Sequence, residues 1–373
     1  HGNESVSTEA SMQTIYELLT NKSSYLENTV VIMDPCINPD GRDRYVNWYN
    51  QFKNTPNNID PNSKEHHEGW LNGRSNHYMF DLNRDWAWLT QVESQQRIKV
   101  FNQWLPHVHV DFHEQGVNNP YYFAPAAEPF HEVVTDFQRD FQITIGKNHA
   151  KYFDANGWFY FTKEVFDLLY PSYGDTYPTY NGGIGMTYEQ GGSGRAGLGV
   201  KTIIGDTLTL NDRIAHHLTT GLSTVEVASQ NTEKLNREFK KFYQNKNFKY
   251  KSYVMNGDPD KIDAIAALLR SHEIKYGWAK EGTAKGHLYS SGKLGTTKTT
   301  PSTLVVSTDQ VKGTLAQVLM EPNTKLSDSL TYDITAWSLP YAYGLEAIAS
   351  QTLVESDPSG DWEILPSKEV DIN

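Results

Sequence analysis

At 373 residues the chain exceeds one average domain and predicts two. Its formal net charge of -12 excludes a protein that binds nucleic acid through a basic face, and no apolar run approaches the ~20 residues of a membrane-spanning helix. Cys36 is the single cysteine, which excludes an intrachain disulfide.

Helix and strand signals alternate through the first two thirds of the chain, which predicts an α/β layer fold. Thr8 to Leu19 carries apolar residues at helical spacing (Met12, Ile15, Tyr16, Leu19). Thr29 to Met33 has the pattern of a short buried strand ending at Asp34-Pro35. A helix is expected over Thr90 to Leu105, stopped by Pro106, and a strand over Val108 to Phe112 with His113 at its C-terminal end. Pro129 to Phe153 is helical in pattern, in one piece or two, and Ile184 to Tyr188 is a strand. Asn211 to Phe242 predicts one long helix whose basic end, Lys240 and Lys241, complements the helix dipole.

That helix closes a first domain, residues 1–243. A smaller α/β domain, residues 244–373, follows. Its expected elements are a strand at Lys251 to Met255, a helix from the N-cap Asp258 through Leu269, a strand at Ser302 to Ser307 and a helix near Gln310 to Leu319. The Gly-, Ser-, Thr- and Lys-rich stretch from Gly282 to Thr300 is a loop or hairpin.

Chemistry concentrates in the first domain. His1-Gly2-Asn3-Glu4 is an H-x-x-E string, and a histidine and a glutamate three residues apart can reach one metal ion where the backbone turns. Alternation along Val108 to Glu114 puts His109, Asp111 and His113 on one strand face, with His113 at the strand's C-terminal mouth, where α/β sheets bind ligands. His109 lies deeper and is structural; His66-His67 and His216-His217 are expected to be surface pairs. Asp81-Leu82-Asn83-Arg84 offers a guanidinium fork suited to a carboxylate, with an amide beside it. Gly182 to Glu189 is a glycine-rich entry to a strand that ends on a carboxylate, and partial desolvation there suits a general base.

Taken together these strings resemble the zinc carboxypeptidase family, the M14 peptidases. They fall in that family's order: His1 to Glu4, a turn at Asn38 to Gly41, Asp81 to Arg84, Asp111 to His113, and Thr187 to Glu189. The resemblance covers about residues 1 to 230. It implies a mixed, mostly parallel sheet with helices on both faces, and one zinc ion bound by His1, Glu4 and His113. It further implies that Asp81 orients His1, that Asn83 and Arg84 grip a substrate's terminal carboxylate, and that Glu189 is the general base. An upstream arginine, Arg74 ahead of Arg42 and Arg44, would stabilise the oxyanion, and Tyr170 or Tyr173 would close over the substrate. Asp175 lies near where the family lines its specificity pocket and would favour a terminal Lys or Arg.

The implied activity is zinc-dependent hydrolysis of the C-terminal peptide bond of peptides or proteins. A related amidase or deacylase, acting on N-acyl amino acids or cell-wall peptides, is the alternative within the same fold. A non-catalytic binding module and an N-terminal copper site at His1 are the other classes to separate by metal analysis. Secretion or a periplasmic location follows from the family alone, and the oligomeric state is open. In the resembled family a central strand directly precedes H-x-x-E. The abrupt start at His1 therefore predicts an empty strand position between Thr29 to Met33 and Val108 to Phe112, and a fragment of a longer enzyme.

Overall fold

The structure, a computed structural model, describes residues 1–326, 331–334 and 336–359. The chain forms two units. One comprises His1–Gln244 together with Lys325–Thr335, the other Asn245–Thr324 with Ala336–Asn373.

The first unit begins with helices α1 (Val6–Thr20), α2 (Pro39–Phe52) and α3 (Val92–Trp104), then strands β1 (Val108–Gln115), β2 (Tyr121–Tyr122) and β3 (Ala127–Phe130). Helix α4 (Asp136–Asn156), β4 (Tyr160–Phe161), β5 (Asp167–Leu168), α5 (Thr176–Tyr180) and β6 (Ile184–Gly191) follow. The unit's main run closes with β7 (Gly199–Lys201), β8 (Thr207–Thr209), α6 (Leu210–Gln230) and α7 (Thr232–Phe242). Local chemistry sets several starts. Thr135 with Gln138, and Thr209 with Asp212, form capping boxes that satisfy free N–H groups at the heads of α4 and α6.

The central sheet has the order β1-β6-β2-β4. β1 runs parallel to β6 and β2 parallel to β4, while β2 meets β6 antiparallel, so the sheet is mixed and mostly parallel. Strand alternation sorts its two faces. Ile184, Met186 and Tyr188 join Phe141, Ile145, Phe153 and Val227 in a core under α4 and α6, with Val108, Val110 and Phe112 packed against it. On the opposite face the ring of His109 packs against Trp86 and Phe101, and Trp86 stacks on Tyr177 of α5. Helix α5 can lie so close because Gly185 has no side chain: a Cβ there would sit 1.7 Å from the Asp175 carbonyl oxygen.

The second unit holds β9 (Ser252–Asn256), α8 (Pro259–Ser271), β10 (Gly277–Ala279), β11 (Gly282–Leu288), β12 (Leu294–Thr299), β13 (Leu304–Ser307), α9 (Gly313–Met320), α10 (Leu339–Ala342), β14 (Glu346–Ser350) and β15 (Ser356–Pro358). Its strands form an antiparallel sheet in the order β12-β11-β14-β9-β13-β10-β15. Val254, Ala284, Val305 and Ile348 are central to its core. The Gly282 to Thr300 stretch is the hairpin β11–β12. Among the described residues, no helix is long and apolar enough to cross a membrane.

Several expectations require correction. Residues 29–33 form no strand; Val30 and Ile32 are exposed, and the described residues place no strand beyond β1 on that side. Asn38 to Gly41 is a helix start: Asn38 accepts from the Gly41 N–H and Pro39 occupies the first turn, where its missing N–H costs nothing. Residues 127–130 are a strand, and Asn231 divides the long C-terminal helix into α6 and α7. Helix α1 turns Met12, Ile15, Tyr16 and Leu19 outward and buries Val6, Ala10, Ser11, Thr14 and Leu18. Small residues on that buried face allow α1 to pack against α6.

Candidate metal centre

The Glu4 N–H donates to the His1 carbonyl at 3.0 Å, closing a turn immediately before α1. That turn brings both side chains to the mouth of β1, where His113 projects. One ligand atom from each of His1, Glu4 and His113 lies within 4.8 Å of the others. Glu4 bridges the two rings, its Oε1 2.8 Å from His1 Nδ1 and its Oε2 2.8 Å from His113 Nδ1. Each imidazole turns its other nitrogen to an aspartate: His1 Nε2 is 3.0 Å from Asp81 Oδ1, and His113 Nε2 is 2.9 Å from Asp111 Oδ2.

Two imidazoles and one carboxylate are the donor set of a catalytic zinc site that keeps a position open. Carboxylates behind the rings fix their orientation and raise their basicity, as metal-bound histidines require. The electrostatics also suit a cation. Burial alone would lower the His113 pKa, but Asp111 and Glu4 raise it well above its usual value. Positive charge is therefore stabilised between these carboxylates. The residues fit zinc.

Glu189 faces the same cavity. Register in the parallel pair sets His113 beside Glu189, Asp111 beside Thr187 and His109 beside Gly185, so the odd-numbered side chains of both strands share the site face. The Glu189 carboxylate is buried, and its Oε2 has no hydrogen-bond partner among the described residues. Burial, with the nearby Glu4 and Asp111 charges, pushes its pKa up to about 8 against the opposing effect of His113.

The arginines separate clearly. Arg74 lines the cavity, donating from Nε and Nη2 to Asp81 Oδ2 at 3.0 and 2.8 Å, and its Nη1 lies 3.5 Å from His1 Nδ1. Arg42 pairs with Glu9, and Arg44 clamps the carbonyls of Asn72, Ser75 and Asn76. Arg84 lines the cavity above the face of Tyr173, its Cζ 4.5 Å from the ring centre. The Asn83 side chain accepts from the Gly174 N–H at 2.8 Å and turns Nδ2 to within 3.1 Å of His113 Nε2. The two tyrosines also separate. Tyr173 lines the cavity, whereas the Tyr170 hydroxyl accepts from Trp88 Nε1 at 2.6 Å and does not line it.

Asp175 lines the cavity from a buried position. Its Oδ2 accepts from Thr187 Oγ1 at 3.0 Å, while Oδ1 has no partner among the described residues. Burial raises its pKa to about 7. His66 and His217, expected at the surface, are instead buried: His66 bridges the Asn58 and Arg195 carbonyls, and His217 meets the Tyr121 hydroxyl.

Sequence reasoning left three contributors without a role. Asp111, visible in the D-x-H string, holds His113. Glu114, next to that ligand, forms a buried ion pair with Arg213 at 3.0 Å and accepts from Val6 N–H at 2.8 Å, which ties the head of α1 to β1. Asp333 pairs with Arg84 from a distant part of the chain, and nothing local to its sequence signals that.

Residues 1–174 match the family model described as zinc carboxypeptidase, a family of zinc-dependent peptidases and hence hydrolases, so the resemblance seen in the motifs holds over those residues. A metallo-carboxypeptidase of known structure from Burkholderia cenocepacia is similar at 14% identity, with a TM-score of 0.43, over 62% of this chain and 55% of its own. This chain thus spans about half the length of that protein. No curated protein matches the chain.

Proposed function

We propose, from the premise that residues 1–174 match the zinc carboxypeptidases, that this chain releases C-terminal residues from peptides or proteins. The observation that carries the reading is the convergence of His1, Glu4 and His113 in one cavity with Glu189, whose Oε2 has no hydrogen-bond partner among the described residues.

His1, Glu4 and His113 would hold a single zinc ion, with Asp81 and Asp111 fixing the two rings. Bound zinc supplies Lewis acidity and lowers the pKa of water to about 7. Glu189 accepts the proton of the attacking water and returns it to the leaving amine, the general-base task of a carboxylate that faces the metal ligands. Arg74 donates to the oxygen on which charge develops; loss of one such donor costs about 10²–10³ in turnover. Arg84 grips the free terminal carboxylate and sets the last peptide bond over the metal ligands. Asn83 braces His113 and the loop at Gly174, and Tyr173 covers the bound residue. Asp175 at the cavity wall favours a terminal Lys or Arg, whose charge would meet its free oxygen. Export from the cytoplasm belongs to the same reading.

The test compares one peptide as free acid and as C-terminal amide, with the N-terminus first free and then acetylated. Amidation should lower kcat/KM by at least about tenfold, the size of one charge-assisted hydrogen bond, and acetylation should change it little. Equal rates on acid and amide would overturn exopeptidase action.

A further inference from the structure

The chain returns to its first unit after a long excursion through the second, and there Tyr332 lines the cavity while Asp333 pairs with the cavity residues Arg84 and Tyr173. The Tyr332 N–H donates to Asp167 Oδ2 at 2.8 Å, and its ring lies 5.4 Å from that of Phe166. Beside it the Asp333 Oδ2 accepts from Arg84 Nε at 3.2 Å, from Arg84 Nη2 at 2.9 Å and from the Tyr173 hydroxyl at 2.9 Å. Arg84 Nη1 meanwhile donates to the Asn83 carbonyl at 3.2 Å. The Nε and Nη2 edge of a guanidinium is a fork that takes a carboxylate. That edge of Arg84 already holds one, supplied by the protein.

Exposure shows what kind of contact this is. Side-chain exposure is 25% for Arg84 and 38% for Asp333. A pair so open to water is weakly held and exchanges easily. A structural lock would be buried, as the Glu114–Arg213 pair is.

We propose that Asp333 is an internal competitor: its carboxylate stands in for the substrate's terminal carboxylate on Arg84 and Tyr173, and substrate binds by displacing it. This rests on reading Arg84 as the carboxylate grip. Only the fraction of molecules with Arg84 released is competent, and apparent affinity falls by that fraction.

Binding without turnover tests this directly. In the zinc-loaded Glu189→Gln protein, calorimetry would follow N-acetyl-Ala-Lys and its C-terminal amide. Adding Asp333→Asn should tighten the free acid about tenfold and leave the amide within about twofold. Asp333→Ser serves as a second variant and should act alike. Arg84→Met should erase the preference for acid over amide whatever stands at 333. Unchanged or weaker binding of the free acid in both Asp333 variants, with Arg84→Met still erasing the preference, would overturn the competition and leave the reading of Arg84 intact. Equal binding of acid and amide in every variant would overturn that reading, and the proposal with it.

Discussion

His113 and Glu189 occupy directly opposed positions on the parallel strands β1 and β6, so a proposed metal ligand and the proposed base share one sheet face. Neighbouring strands lie about 4.8 Å apart. Their relation is thus set by the backbone pairing of β1 with β6. The two residues should nonetheless fail differently. His113→Ala removes a ligand and should leave less than stoichiometric zinc after dialysis, whereas Glu189→Gln should keep zinc and lose hydrolysis. Elemental analysis of both proteins checks this. Stoichiometric zinc in His113→Ala would move the third ligand elsewhere.

Gly174 lies against Asp111. A Cβ at Gly174 would stand 1.9 Å from Asp111 Oδ2, the oxygen that holds His113 Nε2. Gly174→Ala should therefore push Asp111 off the ring. Loss of such an outer partner costs about 10–100-fold in metal affinity. Competition with a zinc chelator measures it, and unchanged affinity would show that Asp111 does not set the ring.

The proposed preference for basic termini rests on the buried Asp175 carboxylate, whose Oδ1 has no hydrogen-bond partner among the described residues. Asp175→Asn should reduce kcat/KM for Lys- and Arg-terminal peptides at least about tenfold, as expected when a charged partner is lost, and spare Phe-terminal ones. A native preference for terminal Phe or Leu would place Asp175 outside the recognition of the side chain.

The core of the first unit should be acid-labile. His149 lies fully buried between Ser223 Oγ and the Tyr188 hydroxyl, both at 2.8 Å, and burial lowers its pKa to about 3. The folded state thus holds it neutral while the unfolded chain binds a proton below about 6.5. Its contribution is complete above pH 6.5 and is lost as pH falls toward 3. Inside that window the slope approaches about 1.4 kcal/mol per pH unit. Denaturant midpoints at pH 7 and pH 5 should show a smaller acid loss in His149→Gln than in the parent. An equal loss in both would mean that His149 does not carry the dependence.

The sequence made the site more legible than the frame around it. Each motif is set by residues a few positions apart: the turn at His1 to Glu4, the alternation that aligns Asp111 with His113, and the same alternation in β6 that aligns Thr187 with Glu189. Such local geometry is readable from spacing. What was misread depended on tertiary context. Helix α1 buries Ala10, Ser11 and Thr14 because its neighbour lies close, while Met12, Ile15, Tyr16 and Leu19 face outward. Thr29 to Met33 has strand-forming residues but finds no partner strand, and without a ladder no strand forms. His217 and Asp333 meet their partners only through the fold, at separations of 96 and 249 residues, which no local pattern records.

The most direct measurement is mass spectrometry of the products formed from one free-acid peptide ending in several lysines by the zinc-loaded protein and by zinc-loaded Glu189→Gln. The account predicts a ladder of products shortened one residue at a time from the C-terminus, and no products from the variant. Internal cleavage, loss from the N-terminus, or an equal ladder from the Glu189→Gln protein would contradict it.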